Sequence, residues 1–255
     1  MLHHRSYKLS ELEPYINWAY FYHAWSLKPQ TPEAVELQHD ALSLLQTLNT
    51  QGQALARVLI TPCHTDTNDI ILDLPSSLSP VVLHLQRQTT GEPPYKCLAD
   101  FLNPHGDTIG IFCTTVPEIG NLYPDDDYLH LLAQTLADRL AEAAAERLHE
   151  EVRKTLWGYA PHEHLTPAEM HAEKFQGIRP AVGYPSLPDI TINRTILPLL
   201  HYQELGMALT SSAMMIPHAS VSGLMIAHPL AHYFSINDSS EPVIPTKRNE
   251  WSESL

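Results

Sequence analysis

Apolar residues return along this chain at two different spacings, and the changes of spacing divide it into elements. From Asp125 to Trp157, the residues Leu129, Leu132, Leu136, Leu140, Ala143, Leu148, Val152 and Leu156 recur every three or four positions, the period of one helix face. Pro124 and the aspartates Asp125 to Asp127 stand before this run, where negative charge suits the positive end of a helix dipole, and Gly158 follows as a C-cap. At a rise of about 1.5 Å per residue, the pattern predicts a helix of roughly 50 Å. Ala143 to Ala145 break any strict heptad, which argues against a coiled coil. A second helix is predicted after Thr31-Pro32-Glu33, with Thr as N-cap, Pro in the first turn, and Val35, Leu37, Leu42, Leu45 and Leu48 behind it. Between these helices lie short β-like runs: Arg57 to Thr61, Ile70 to Leu74, Val81 to Leu85 and Thr108 to Thr115. Turn residues bound them at Thr65 to Asn68, Pro75 to Ser79 and Gly91 to Pro94.

Beyond the long helix, Thr166-Pro167 opens a short helix reaching about Lys174, and Gly177 to Pro188 is rich in turn residues. Thr195 to Leu205, closed by Gly206, predicts another helix, and Leu224 to Ile236 a strand or hairpin bent at Pro229. After Asn237 the chain is polar. There is no internal repeat, and the order of elements suits one α+β domain.

Composition narrows the function. The chain has 255 residues, of which 44% are hydrophobic, enough for a substantial core. Its formal charge of −14 argues against a nucleic-acid partner and against docking on an anionic membrane, both of which need clustered Lys and Arg. The most apolar stretch, Ala213 to Ala231, carries Pro217, His218, His228 and Pro229 and is a poor bilayer segment. Met1 to Ser10 is polar and unlike a signal peptide, so a cytoplasmic location is expected. Cys63, Cys97 and Cys113 are scattered without C-x-x-C spacing, as buried reduced thiols would be.

The chemistry-bearing motifs are mostly missing. Sixteen histidines include no HExxH pair; His162 and His164 flank Glu163 in an expected loop. The glycines form neither a GxGxxG nor a Walker A loop, which disfavours an ordinary Rossmann-type methyltransferase. There is no GxSxG elbow, and Ser220-Val221-Ser222-Gly223 reads as small residues that let two backbones approach. Two features are left. Arg139, Glu142, Glu146 and Arg153 share one flank of the long helix, and Gln176 to Pro185 (QGIRPAVGYP) holds Arg179 in a rigid Pro-Gly turn. A guanidinium so held suits an amino-acid carboxylate, and glycine lets the backbone approach a flat adenine or ribose. By residue chemistry alone, a solvated ladder of ion pairs is the better account of the helix flank, and a structural turn with a surface arginine the better account of the loop.

Longer matches separate these readings. ADRLAEAAAERLHEEVRKTLWGYAP (Ala137 to Pro161), QGIRPAVGYPSLPD (Gln176 to Asp189) and LGMALTSSAMMIPHASVSGLMIAHPLAHYF (Leu205 to Phe234) resemble, in order, three segments of the reactivation domain of cobalamin-dependent methionine synthase. These are its long helix, its Arg-x-x-x-Gly-Tyr loop and its closing segment. Weaker matches are CLADF (Cys97 to Phe101), DTIGIF (Asp107 to Phe112) and YINWAYFYHAW (Tyr15 to Trp25). The resemblance implies an α+β fold: a C-shaped single domain over residues 1–240 with a twisted, largely antiparallel sheet, flanking helices and the long helix at about 125–157. A polar tail, 241–255, follows.

The resemblance also implies a function. Such a domain binds S-adenosylmethionine and docks on a cobalamin-binding methionine synthase chain, which supplies the cobalamin. With an electron from reduced flavodoxin or a similar donor, the methyl group regenerates the oxidised cofactor. Carried over to this chain, Arg179 pairs with the ligand carboxylate. Glu142, with Arg139 beside it, meets the amino group or ribose, and Ala181, Gly183 and Tyr184 frame the adenosine. Asn17 stands where the family usually has an aspartate contacting the ligand, and His228, Tyr233 and Phe234 lie at the groove edge. The 255 residues contain no D-x-H-x-x-G cobalamin motif, so the expected role is a reactivation subunit of a split synthase, acting in trans. The rival readings are a non-catalytic S-adenosylmethionine sensor or corrinoid scaffold, and a structural subunit that has lost the ligand.

Overall fold

The chain begins with a strand that its polar composition conceals. Strand β1 (Leu2–Lys8) pairs antiparallel with β2 (Gln53–Asp66), from Leu2 opposite Leu59 to Lys8 opposite Gln53. Only Tyr7 of β1 is fully buried, so backbone pairing rather than an apolar pattern holds it in place. This is a computed structural model, and it describes residues 1–50, 52–74, 79–91, 93–117, 119 and 122–236. Residues 75–78 of the turn expected over Pro75 to Ser79, and the polar tail from 237 onward, lie outside the described residues.

Strand β2 is the spine of the sheet. One of its edges carries β1 and then β3 (Asp69–Leu72); the other carries β5 (Asp107–Thr115). Strand β4 (Val81–His84) extends the sheet beyond β3, and β8 (Ser220–Met225) extends it beyond β5. Every pairing is antiparallel, and the sheet curls into half a barrel, as the α+β expectation required. The expected strand Arg57 to Thr61 is part of a longer one. Pro62 lies within it, opposite Thr108, where β1 has ended and β3 has not begun, so its missing N–H leaves no strand partner unsatisfied. A separate two-stranded ribbon joins β6 (Ala208–Leu209) to β7 (Met215–Ile216).

Helices cover both faces. On one lie α1 (Trp18–Ala24), α2 (Pro32–Leu48) and α3 (Asp127–Glu151), whose Leu132, Leu136, Leu140 and Leu148 share a core with Leu37, Leu44, Val58, Phe112 and Met225. On the other lies α5 (Asn193–Leu199), whose Ile196 and Leu197 pack with Ile109, Ile111, Cys113, Leu224 and Ile226. The alternation along β5 and β8 sends neighbouring residues to opposite cores, and each large apolar side chain so buried contributes about 1.5–3 kcal/mol. The alanines of α3 have a clear use here. Ala137, Ala141, Ala144 and Ala145 are buried, and their small size lets the helix lie close to the sheet, where Thr114 donates to the Ala141 carbonyl at 2.8 Å. All three cysteines are buried and free.

The long helix matches its expected span closely. Asp126 caps it by accepting from the Leu129 N–H at 2.9 Å, and a π-helical turn, Val152–Leu156, prolongs it. Trp157 and Gly158 both donate to the Val152 carbonyl, and Gly158 ends the helix at φ 77°. Other expectations need correction. The helix expected over Thr195 to Leu205 is two pieces: α5 stops at Leu199, His201 turns left-handed at φ 50°, and a 3₁₀ turn spans Tyr202–Leu205. Arg57 reaches across to the carbonyls of Leu200 and His201, both at 2.9 Å, so the sheet satisfies the frayed end that a longer helix would have closed. The strand expected over Leu224 to Ile236 begins earlier and ends at Met225. The short helix α4 (Pro167–His171) stops before Lys174.

Candidate functional site

The site begins with five polar residues on one flank of α3 and its π-turn: Arg139, Glu142, Glu146, His149 and Arg153. Steps of three and four place them on one face, beside the apolar stripe rather than opposite it. A solvated ladder does not describe them, because later parts of the chain meet them: Arg179 and Tyr184 meet Glu146 and Glu142, while Glu163 and Phe175 meet Arg153.

The Gln176 to Tyr184 segment continues the sheet past β8. Ile178 pairs with Ile226, Ala181 with Gly223; Leu224 donates to the Pro180 carbonyl at 3.0 Å and Val182 to the Ser222 carbonyl at 2.9 Å. Two glycines make this approach possible. A Cβ at Gly223 would stand 2.2 Å from the Pro180 carbonyl oxygen and 2.8 Å from the Phe112 ring. One at Gly177 would stand 2.3 Å from the Ile226 oxygen, at a φ of 83° that side chains avoid. The small-residue reading of Ser220 to Gly223 is therefore correct. Strand alternation turns Ile178 into the far core and Arg179 toward α3.

Arg179 is largely buried. Its Nη2 meets Glu146 Oε2 at 3.0 Å, its Nη1 donates to the Ala145 carbonyl at 3.2 Å, and its backbone N–H donates to Tyr233 Oη at 2.9 Å. Burial works against the cation, but the Glu146 carboxylate and Tyr233 outweigh it and hold its pKa above the ordinary range. Burial pushes the Tyr233 phenol up to about 12, so it stays protonated. Glu146 uses one oxygen only. Its Oε1 is buried and has no hydrogen-bond partner.

Toward the helix N-terminus, Glu142 receives Arg139 Nη1 at 2.8 Å and the Tyr184 hydroxyl at 3.2 Å. Burial raises the Glu142 carboxyl above its ordinary pKa, against the pull of Arg139. Tyr184 is half exposed and sits in a turn where Gly183, at φ 89°, donates to the Leu187 carbonyl at 2.8 Å. Helix α1 brings Tyr20 into the same field: burial, then the Glu142 and Glu173 carboxylates, raise its phenol. Glu173 also acts on Tyr233 and has a left-handed φ of 55°.

The structure thus brings Arg139, Glu142, Arg179, Ala181, Gly183, Tyr184 and Tyr233 together along one flank of α3, the candidate groove. Asn17 precedes α1 as its N-cap, with no side-chain capping bond, one turn from Tyr20. His228 and Phe234 differ from Tyr233. Their rings gather with His232 around Phe101, at 6.4 Å and 6.3 Å from it, and His228 Nδ1 accepts from the Leu230 N–H. Sequence reasoning passed over Glu146 as Arg179's partner, and over His149, Phe175 and Glu163. Among the described residues, no group of three or more His, Cys, Asp and Glu side chains is arranged to hold a metal ion. Also among the described residues, no helix is long and apolar enough to cross a membrane.

Comparison with known proteins agrees with this fold. The chain is similar to a crystal structure of the MetH reactivation domain bound to AdoHcy, with 36% sequence identity and a TM-score of 0.84 over 92% of this chain and 81% of that one. Residues 8–243 match the family model described as the vitamin B12 dependent methionine synthase activation domain, and the chain belongs to that family.

Proposed function

We propose that this chain binds S-adenosylmethionine along the α3 groove and supports reductive methylation of cob(II)alamin carried by a partner methionine synthase chain. The observation that carries the reading is the half-used ion pair: Arg179 meets one oxygen of Glu146, and the other oxygen, Oε1, is buried without a partner. An amino-acid ligand answers both charges. Its carboxylate pairs with the Arg179 fork, and its ammonium completes Glu146 Oε1. The similar reactivation domain binds AdoHcy, which carries this amino-acid end.

The remaining residues take the rest of the ligand. Ala181 and Gly183 offer a close backbone surface to the adenosine, and Tyr184 closes over it while its hydroxyl stays on Glu142. Asn17 contributes an amide where a carboxylate would attract the sulfonium more strongly. S-adenosylmethionine supplies an electrophilic methyl group; the protein orients the molecule that carries it and performs no bond chemistry of its own. The electron comes from reduced flavodoxin or a similar donor, the site is cytoplasmic, and residues 1–240 form the working unit.

Calorimetric titration with S-adenosylmethionine and AdoHcy tests the reading. Arg179→Ala is expected to cost about 2–5 kcal/mol of binding. Unchanged affinity removes Arg179 from the site, and no binding by the native chain at millimolar ligand ends the proposal. Ligand binding without methylation of a cob(II)alamin partner in the presence of a donor favours a sensor.

A further inference from the structure

We propose that Arg153, with Glu163 and Phe175, forms a clamp that positions Arg179 and Glu146, an inference that rests on the groove being the ligand site. Arg153 is fully buried, and its side-chain hydrogen bonds go to Glu163 rather than to Arg179 or Glu146. Its Nε lies 2.9 Å from both oxygens of Glu163, and its Nη2 lies 2.7 Å from Oε1, a bidentate pair. Its guanidinium carbon sits 4.5 Å from the centre of the Phe175 ring. Phe175 also presents an edge to His149, with ring centres 5.0 Å apart. One side chain of the helix therefore grips two later parts of the chain: the connection that carries Glu163, and the residue two positions before the Gly177 turn.

A buried ion pair seldom adds net stability over apolar residues of similar volume. It does add direction, because the guanidinium fork accepts a carboxylate in one plane and an aromatic ring across its face. The π-turn supplies the position. Its widened backbone carries Arg153, and the Arg153 carbonyl accepts from the Ala160 N–H at 2.8 Å, turning the chain back so that Glu163 reaches the helix. With Phe175 held, Gly177 meets the Ile226 carbonyl, Ile178 joins β8, and Arg179 arrives at Glu146 with its amide on Tyr233. His149 lies within the field of both guanidinium groups, its Nε2 3.1 Å from Tyr159 Oη. Arg153 is thus a positioning residue for the binding pair in front of it.

The double variant Arg153→Met with Glu163→Leu, in the full chain, separates position from stability. The melting temperature is expected to hold or rise. AdoHcy affinity by calorimetry is expected to fall about tenfold or more, since small misplacements of binding groups are costly. The Arg179 amide is expected to exchange its hydrogen faster without ligand. AdoHcy affinity within about twofold of the native chain, with unchanged Arg179 exchange, overturns the clamp. If the double variant does not fold, Phe175→Leu decides by the same two readouts, with the same loss expected and unchanged values overturning it. If the native chain does not bind AdoHcy, the groove reading fails, and the ligand-free exchange of the Arg179 amide alone upholds or overturns the clamp.

Discussion

Two ion pairs on the same flank of the long helix behave differently. Arg153 and Glu163 are closed on each other: two guanidinium nitrogens take both carboxylate oxygens, and the side chains are 0% and 9% exposed. Arg179 and Glu146 are also buried, at 16% and 11%, but they touch through one nitrogen and one oxygen, and the second oxygen has no donor. A buried carboxylate oxygen left open is costly, and folded proteins keep few of them. Glu163 has both oxygens occupied, and the atom left over in that pair is a donor, Arg153 Nη1; in the other pair it is an acceptor, Glu146 Oε1, which on the proposed reading meets the ligand's ammonium. Both lie against the same helix two turns apart, so the difference reflects what each pair faces rather than burial as such.

Three measurements break or sharpen that contrast. The largest effect is expected from Arg153→Ala. It leaves Glu163 charged and enclosed without its partner, and stability by chemical denaturation is expected to fall by about 3–5 kcal/mol. A loss below about 1 kcal/mol makes the closed pair no more structural than a surface one. Next, Glu146→Gln keeps the shape but replaces a charge-assisted acceptor. Binding of S-adenosylmethionine is expected to weaken by about 1.5–3 kcal/mol, with a smaller change in unfolding free energy. Equal losses in the two would erase the distinction between pairs.

The smallest effect concerns the residue between them. Burial, then the Arg153 and Arg179 cations, hold the His149 pKa well below its ordinary 6.5. Below pH 6.5 the unfolded chain takes up a proton that the native chain refuses. His149 therefore contributes stability that is present above 6.5 and lost on acidification, by about 1.4 kcal/mol per pH unit while native His149 stays neutral. Glu142 has the opposite sign. Its raised native pKa gives a contribution that is lost as pH rises from 4.5, so it does not imitate the acid loss. Melting temperatures of His149→Gln are expected to fall less steeply from pH 6.5 downward than those of the native chain. Parallel curves would show that His149 gains its proton without opposition.

The two halves of the site were unequally legible in the sequence. Arg179 sits in a turn of prolines and glycines and Glu142 on a helix of clear period, but it was the family resemblance of those two stretches that made them site residues. His149 belongs to the same stripe, at the steps of three and four that join Glu146 to Arg153, and that spacing was the available signal for it. Glu163 and Phe175 carried none. They lie 10 and 22 residues beyond Arg153 in irregular chain, and nothing local brings them back to the helix. β1 was hidden for a related reason: it is held by backbone pairing to a strand some fifty residues away.

What the sequence determined by itself is periodic or local: the long helix and its caps, the helix after Thr31, the central strands, the turn around Gly183, and the absence of any glycine-rich nucleotide loop. These follow from backbone sterics, side-chain spacing and capping, which act over a few residues. The tertiary structure decided which charges meet. It placed Arg179 on Glu146 rather than Glu142, closed Arg153 on Glu163, turned Tyr233 toward the site and Phe234 away, and left Glu146 Oε1 open. Those pairings depend on the depth at which the Ile178 to Val182 segment lies against β8. Gly223 sets that depth, because only a residue without a Cβ leaves room for the Pro180 carbonyl.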